Sequence, residues 1–170
     1  MVKKFMFFFL KTLLRINILR NYYKKIAVGG TFDKFHRGHE ILIKTAFDLA
    51  DSVLIGVTSD TFAGVKNHKI ESSDIRINNI ESFVEDFQKE YVIKLIDDAM
   101  GTADVDVDLE AIVVSPETEH SAVMINKERS ANNLDLLDIV VIEWILADDG
   151  TPISSTRIRR GEIDNEGKLL

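Results

Sequence analysis

The fold is decided at residues 27–39, which read Ala-Val-Gly-Gly-Thr-Phe-Asp-Lys-Phe-His-Arg-Gly-His. An apolar run from Lys25 to Val28 ends in Gly29 and Gly30, and a helical pattern opens at the end of the stretch. This order predicts a strand, a tight turn and a helix N-terminus, where free amides and the helix dipole attract anions. Adjacent glycines let a ligand come close to the backbone. The stretch therefore predicts a phosphate-binding turn after the first strand.

Outward from this turn, short apolar runs alternate with helical patterns. Residues 59–70 are polar and are predicted to be a loop or a short helix, and residues 97–108 are acidic and contain a glycine. Asp74 and Ser154 are predicted to be helix N-caps, and Gly161 a helix stop. The alternation predicts an α/β, Rossmann-like, doubly wound parallel sheet with helices on both faces. Ligands of such sheets bind beyond the carboxyl ends of the strands, so the segments that follow strands should converge. The predicted strands are 25–28, 52–58, 91–96, 109–115 and 136–145, and the predicted helices are 38–51, 74–87, 119–132 and 153–160.

His36 and His39 are spaced so that both rings can lie on one side of the helix start. Two imidazoles there could donate N–H bonds to a polyphosphate, and the helix dipole favours their neutral form. The alternatives are a capping histidine or a pair of metal ligands, although two histidines are weak evidence for a metal site. Thr31 could face a phosphate through its hydroxyl and amide. For Asp33 a structural role is expected.

A second hydroxyl-rich helix start lies at Ser154, Ser155, Thr156 and Arg157. Three hydroxyls and the first-turn amides would form an anion cradle facing the first one. The alternative is that these hydroxyls only cap the helix. Among the basic side chains that follow, Arg157 is the predicted ligand contact.

Composition and charge narrow the possible functions. The chain has 170 residues and no cysteine, which excludes disulfides, thiol catalysis and thiolate zinc sites. Residues 1–25 contain seven of the 21 Lys and Arg side chains and no acidic one, which leaves 14 basic and 28 acidic side chains, a net charge of −14, in residues 26–170. A net charge of −14 in residues 26–170 argues against nucleic-acid binding, which needs a basic surface.

Residues 1–24 are predicted to be an extension, and residues 25–170 the catalytic domain. The extension is basic and apolar, and as an amphipathic helix it would suit a membrane surface or a partner. The alternatives are a translation start assigned ahead of the real domain, or a poorly ordered segment. It also has the basic start and apolar centre of a signal peptide, but no small-residue cleavage site follows. The lack of cysteine fits the reducing cytoplasm.

Two motifs in this order resemble the signature of the nucleotidylyltransferase superfamily. The first, H-x-G-H, is read at residues 36–39, and the second, I-S-S-T-x-x-R, at residues 153–159. Residues 29–33, 114–118 and 160–164 add a closer similarity to the archaeal-type phosphopantetheine adenylyltransferases. The resemblance covers Lys25 to Leu170.

The resemblance implies that ATP and 4′-phosphopantetheine react to dephospho-coenzyme A and pyrophosphate. His39 and Thr31 would face the α-phosphate, and His36 the β- and γ-phosphates, with Mg²⁺ carried in by ATP. It also implies that Lys66, Lys69 and Arg76 supply cations to the acceptor phosphate or the triphosphate. The implied nucleotide-binding residues are Gly29, Gly30, Thr31, Phe32, His36, His39, Ser115, Ser154, Ser155, Thr156 and Arg157.

Two other functions are compatible with the same motifs. One is nucleotidyl transfer to another phosphorylated acceptor, such as nicotinamide mononucleotide or glycerol 3-phosphate. The other is a nucleotide sensor that has lost turnover. The motifs do not choose between acceptors, and the sequence does not give the oligomeric state.

Overall fold

The computed structural model describes residues 22–64 and 69–170. The predictions for residues 1–21 and for Lys66 therefore lie outside the described residues. Five parallel strands form one sheet: β1 (Tyr23–Gly30), β2 (Ala50–Thr58), β3 (Glu90–Ile96), β4 (Ala111–Val114) and β5 (Asp138–Val141). The helices between them are α1 (Arg37–Leu49), α2 (Asp60–Ala63), α3 (Ser73–Val84), α4 (Glu119–Ala131) and α5 (Ser155–Arg159).

The strand order is β3-β2-β1-β4-β5, with β1 in the middle. The chain runs outward through β2 and β3 and then returns to the other side of β1 as β4. Strand order therefore reverses between β1 and β4, and parallel sheets bind ligands at such a point. The predicted doubly wound parallel sheet is confirmed.

Helices cover both faces of the sheet because successive side chains of a strand point to opposite sides. Ile26 and Val28 of β1 face α1 and α3, whereas Ala27 faces the side covered by α4. All three side chains are buried, which explains the apolar run that ends at the glycines. No helix among the residues that the structure describes is long and apolar enough to cross a membrane.

Several predicted boundaries differ from the structure. Strand β1 starts at Tyr23, so two residues of the predicted extension belong to it. The strand predicted at 136–145 ends at Val141, and residues 142–145 leave the sheet to line a cavity. The helix predicted at 153–160 is shorter, although Ser154 caps it and Gly161, with φ +69°, follows it as expected.

The predicted cap Asp74 is wrong. Helix α3 begins at Ser73, and Ser72 at its N-cap makes no side-chain capping bond. Instead the backbone amide of Ser73 donates to Oδ1 of Asp60 at 2.7 Å. The Arg76 guanidinium donates to the same oxygen at 2.8 Å. A carboxylate from the preceding helix thus satisfies the helix start, and a single-segment pattern does not reveal such a long-range cap.

Candidate active site

A cavity of about 420 Å³ opens where strand order reverses, between the carboxyl ends of β1 and β4 and the start of α5. Ten of the predicted nucleotide-binding residues line it: Gly29, Gly30, Thr31, Phe32, His36, His39, Ser115, Ser154, Ser155 and Thr156. The structure therefore brings together side chains from both ends of the sequence. That they bind a nucleotide stays a prediction.

His36 is the N-cap of α1, and its ring folds over the first turn. Its Nδ1 accepts a hydrogen bond from the Gly38 amide, 3.1 Å away. A Cβ at residue 38 would lie only 3.0 Å from Cε1 of this ring, closer than most real Cβ contacts. A side chain at this position of H-x-G-H would therefore crowd the capping ring, which would have to shift by a few tenths of an ångström.

His39 stacks directly on His36, with ring centroids 3.8 Å apart and planes 20° from parallel. The Phe32 ring meets the His39 ring edge-on from behind, at 5.2 Å. The Nδ1 atom of His39 is buried without a hydrogen-bond partner. Of its two ring nitrogens, Nε2 is therefore the one that a ligand can reach.

Both histidines are held in the neutral form. Burial lowers the pKa of His36 to about 4, although the nearby Asp33 carboxylate acts in the opposite direction. Burial, and after it the neighbouring His36 ring, lowers the pKa of His39 well below its usual range. The neutrality predicted from the helix dipole thus has burial as its main cause.

The hydrogen bonds also fix the tautomers. Nδ1 of His36 accepts a bond, so the proton of its neutral ring sits on Nε2. Nδ1 of His39 is buried without a partner, and a buried N–H without an acceptor is rarer than a buried acceptor without a donor, so we assign the proton of this ring to Nε2. Two parallel neutral rings therefore each offer one N–H donor, which suits anionic oxygens.

The turn between β1 and α1 is strained at two non-glycine residues. Phe32 has φ +55° and Lys34 has φ +49°, in the left-handed region that most side chains avoid. The Phe32 side chain is completely buried and packs against His39, and the residue also lines the cavity. Strain of this kind is retained where the surrounding contacts enforce it, often at functional sites.

Asp33 joins three distant segments at this turn. Its Oδ1 accepts from the Glu71 amide at 2.8 Å, its Oδ2 forms an ion pair with Arg159, and its carbonyl accepts from the Ser155 hydroxyl at 2.7 Å. The carboxylate is buried. The structural role predicted for Asp33 is therefore to hold the β1 turn against α5.

The hydroxyls at the start of α5 are partly engaged inside the protein. The Ser154 hydroxyl oxygen accepts a hydrogen bond from the Arg157 amide at 3.4 Å, and the Ser155 hydroxyl donates one to the Asp33 carbonyl. Thr156 accepts from Arg159 at 3.0 Å. Ser155 can therefore offer a ligand only its amide and lone pairs, so its hydroxyl serves mainly to join the two halves of the site.

Arg157, the predicted ligand contact, does not line the cavity, and its binding of a ligand stays a prediction. Its guanidinium turns away from the cavity to Asp149 at 2.5 Å and Glu162 at 3.1 Å, and these contacts raise its pKa. Arg159 lines the cavity instead. The motif spacing could have found it, because the arginine of I-S-S-T-x-x-R falls at residue 159.

Arg76 also has a different position from the one expected. It is fully buried, and its guanidinium donates to the carbonyls of Thr31, Thr58 and Glu71 at 2.8 Å each. It therefore ties the end of β1 to the end of β2 and does not reach the cavity. Lys69 is exposed and precedes Ile70, which lines the cavity, so a contact with a bound substrate stays a prediction for Lys69.

The other end of the cavity was missed by sequence reasoning. It is formed by residues 115–118 after β4 and 142–145 after β5, and it presents Trp144, Glu117 and Glu143. Trp144 is 48% exposed. An aromatic plane beside carboxylates suits a flat polar ring that carries hydrogen-bond donors. Residues 142–145 escaped notice because their apolar pattern reads as a continuation of β5.

No cluster of three or more His, Asp or Glu side chains that could hold a metal ion occurs within residues 22–64 and 69–170. The cavity carboxylates Glu117 and Glu143 stand with Trp144, whereas Asp33 is paired with Arg159.

The chain is similar to known proteins along most of its length. The model of the Cytidylyltransferase-like family matches residues 27–161. Phosphopantetheine adenylyltransferase of Methanothermobacter thermautotrophicus is 47% identical over 152 residues, which cover 89% of this chain and 93% of the relative. The enzyme of the same name from Methanosarcina acetivorans is 43% identical over 150 residues, covering 85% and 95%.

Solved structures share the fold. A protein of unknown function from Archaeoglobus fulgidus superimposes with a TM-score of 0.65 at 36% identity, over 76% of this chain and 95% of that one. Pantothenate synthetase of Thermus thermophilus has a TM-score of 0.56 at 10% identity, over 81% of this chain and 62% of that one. At that identity the second similarity concerns the fold alone.

Proposed function

The chain belongs to the cytidylyltransferase-like family, together with the archaeal phosphopantetheine adenylyltransferases, and we propose that it transfers the adenylyl group of ATP to 4′-phosphopantetheine. A phosphate oxygen of the acceptor attacks the α-phosphorus, and the bond from that phosphorus to the pyrophosphate oxygen breaks. The products are dephospho-coenzyme A and pyrophosphate. The attacking oxygen is already ionised near neutral pH, so no general base is needed.

The observation that carries this proposal is the stacked pair of neutral histidines. Each ring offers one N–H donor at the helix start, and a ring that is hard to protonate is also a poor base or acid. Such a pair is suited to stabilise negative charge without moving protons. In phosphoryl chemistry, positioning and electrostatic stabilisation carry most of the rate enhancement.

The two halves of the cavity divide the nucleotide between them. His36, His39, Thr31 and the start of α5 line the end that suits the phosphates, and Arg159 adds positive charge there. Trp144 and the two glutamates line the other end, which suits the base. A flat aromatic residue stacks on a base, and a carboxylate accepts from an exocyclic amino group.

Mg²⁺ would arrive with ATP and neutralise part of the phosphate charge. Lys69 is exposed and precedes Ile70 of the cavity lining, so we assign to it the attraction of the acceptor phosphate. We place the reaction in the cytoplasm, where ATP is abundant and thiols of the product stay reduced.

The test is pyrophosphate release by the purified chain with Mg-ATP and 4′-phosphopantetheine, with nicotinamide mononucleotide as a parallel acceptor. We expect release with phosphopantetheine alone. Release only with the other acceptor would keep the chemistry and overturn the substrate.

A second measurement separates turnover from binding. Trp144 is the single tryptophan of the chain, so its fluorescence reports whether ATP enters the cavity. Quenching by ATP without pyrophosphate release from either acceptor would identify a nucleotide sensor. The Trp144→Phe variant provides the blank for this signal.

A further inference from the structure

The outer side of β3 is an open sheet edge. Its seven residues pair with β2 on one side, and within residues 22–64 and 69–170 no strand pairs with the other side. Val92 on one face is 55% exposed and Leu95 on the other is 53% exposed. A long apolar edge strand is a ready template for pairing with another chain, and natural proteins normally shorten or cover it.

The opposite edge of the sheet, formed by β5, offers a shorter strand for pairing than β3 does. Strand β5 has only four residues, Asp138–Val141, and the chain then turns into the cavity wall at residues 142–145. Strand β3 lies two strands away from β1, so its outer edge is remote from the cavity. A partner could therefore pair with β3 without touching the site.

The charges of β3 are self-complementary. Glu90 and Lys94 flank Val92 at equal distances along the strand, and all three point to the same face because side chains alternate. Both charged residues are exposed, and neither forms an ion pair within the described part of the chain. Lys89, the next cation, is committed elsewhere, to the Phe47 and Ala50 carbonyls.

We infer that two copies of this chain pair antiparallel along β3, about a two-fold axis at Val92. In this register Glu90 lies opposite the partner's Lys94, and Lys94 lies opposite the partner's Glu90. Symmetry thus forms the ion pair twice. Directly opposed residues have Cβ atoms roughly 4.5–5.5 Å apart, within reach of these side chains.

The register is specific. An axis at Tyr91 would place Lys94 opposite Gln88 of the other copy, and an axis at Ile93 would place it opposite Val92. Only the axis at Val92 pairs both charges and also stacks the exposed valines of the two copies. The result is a continuous ten-stranded sheet with the two cavities independent of each other. Since one strand pair covers less than a standard interface, we expect micromolar affinity.

The first experiment is sedimentation velocity on the full chain between about 1 and about 300 μM, because mass action favours the dimer at high concentration. Glu90→Lys and Lys94→Glu each oppose like charges twice and should weaken dimerisation on the order of tenfold or more. The double variant Glu90→Lys/Lys94→Glu restores opposite charges and should dimerise like the original chain.

Recovery in the double variant separates lost pairing from damaged folding. A chain that stays monomeric to the highest concentration would overturn the inference. This is the result expected if another segment of the chain covers the edge of β3. Single variants that dimerise like the original chain would overturn it as well, because the contact would then lie elsewhere.

The second experiment uses the absence of cysteine from the sequence. In the Val92→Cys variant the two new thiols would face each other across the axis, so a short bismaleimide should link the chains at low concentration. The matched control is Val123→Cys on α4, where the valine is 54% exposed but far from β3. Equal cross-linking of both variants would contradict pairing at Val92.

Discussion

The imidazole rings of His36 and His39 are nearly parallel, with their centroids 3.8 Å apart. A positive charge on one ring therefore lowers the pKa of the other. The pair therefore acts as a single neutral unit with two N–H donors. Its geometry depends on a glycine, a capping bond and a buried phenylalanine.

The free energy of unfolding should fall as the pH is lowered from about 7 to about 5. The pKa of His36 is lowered from 6.5 to about 4 in the folded chain, so the unfolded chain takes up a proton first. The stabilisation from neutral His36 is complete above the pKa that His36 has in the unfolded chain, and it is lost as the pH falls towards its pKa in the folded chain. By pH 5 the free energy of unfolding should have fallen by about 2 kcal/mol. Urea unfolding at several pH values measures it.

The control for that experiment is His36→Asn, which keeps a capping acceptor but removes the titrating ring. Its unfolding free energy should depend less steeply on pH over the same interval. Equal slopes for the two proteins would show that His36 is not the group responsible.

His39→Ala should lower kcat on the order of 100- to 1,000-fold, the usual cost of removing one preorganised donor. The variant should stay folded with a modest loss of stability, because Nδ1 of His39 makes no hydrogen bond inside the protein but its ring packs against His36 and Phe32. Pyrophosphate release measures the first effect and thermal unfolding the second. His120→Ala, at an exposed histidine outside the cavity lining, is the matched control and should keep full activity.

Gly38→Ala should destabilise the protein. Helix propensity alone predicts a gain of roughly 0.5–1 kcal/mol from this change. The new Cβ would instead lie 3.0 Å from the His36 ring and displace the cap, so we expect a loss of about 1 kcal/mol in the free energy of unfolding. Denaturant titration decides the sign. Arg37→Ala, at the preceding exposed residue, should be nearly neutral.

The sequence predicted the sheet because its local signals agree with one another. The apolar run before Gly29, the alternation of strands and helices, and the cap at Ser154 all act within a few residues. The same locality explains the failures. The cap of α3 comes from Asp60, and the mostly apolar residues 142–145 have a strand pattern although they line the cavity.

Within the site, sequence reasoning found which segments meet but not how each side chain points. Arg157 and Arg159 flank Ile158 directly, yet one turns to Asp149 and the other to Asp33. Arg76 looks like a surface cation in a polar helix, although it is buried and three of its acceptors belong to the more distant residues Thr31, Thr58 and Asp60. Contacts of this kind depend on tertiary structure.

Arg76→Met should lower the free energy of unfolding by about 3–5 kcal/mol, because it leaves buried carbonyl groups without donors. Part of the loss should appear as a lower kcat, since the Thr31 carbonyl is one of those groups. Chemical denaturation and steady-state kinetics measure the two effects. Arg160→Met, at a side chain that is 69% exposed, should be neutral in both.

Lys69→Ala should raise the KM for 4′-phosphopantetheine several-fold and leave the free energy of unfolding unchanged. The side chain is exposed beside the cavity, so its charge can attract the acceptor phosphate without supporting the fold. Because such attraction is screened by ions, the difference from the original chain should shrink at high salt. A change in the KM for ATP alone would contradict this assignment.

The ion pair between Asp33 and Arg159 spans 126 residues of sequence. During synthesis the β1 turn leaves the ribosome long before Arg159 does, so Asp33 has no ion-pair partner until the end of the chain has been made. Contacts of such large sequence separation form late, because closing a long loop costs entropy before it is rewarded. The site should therefore be among the last parts of the chain to mature, and a chain released early would have a sheet but no catalytic power.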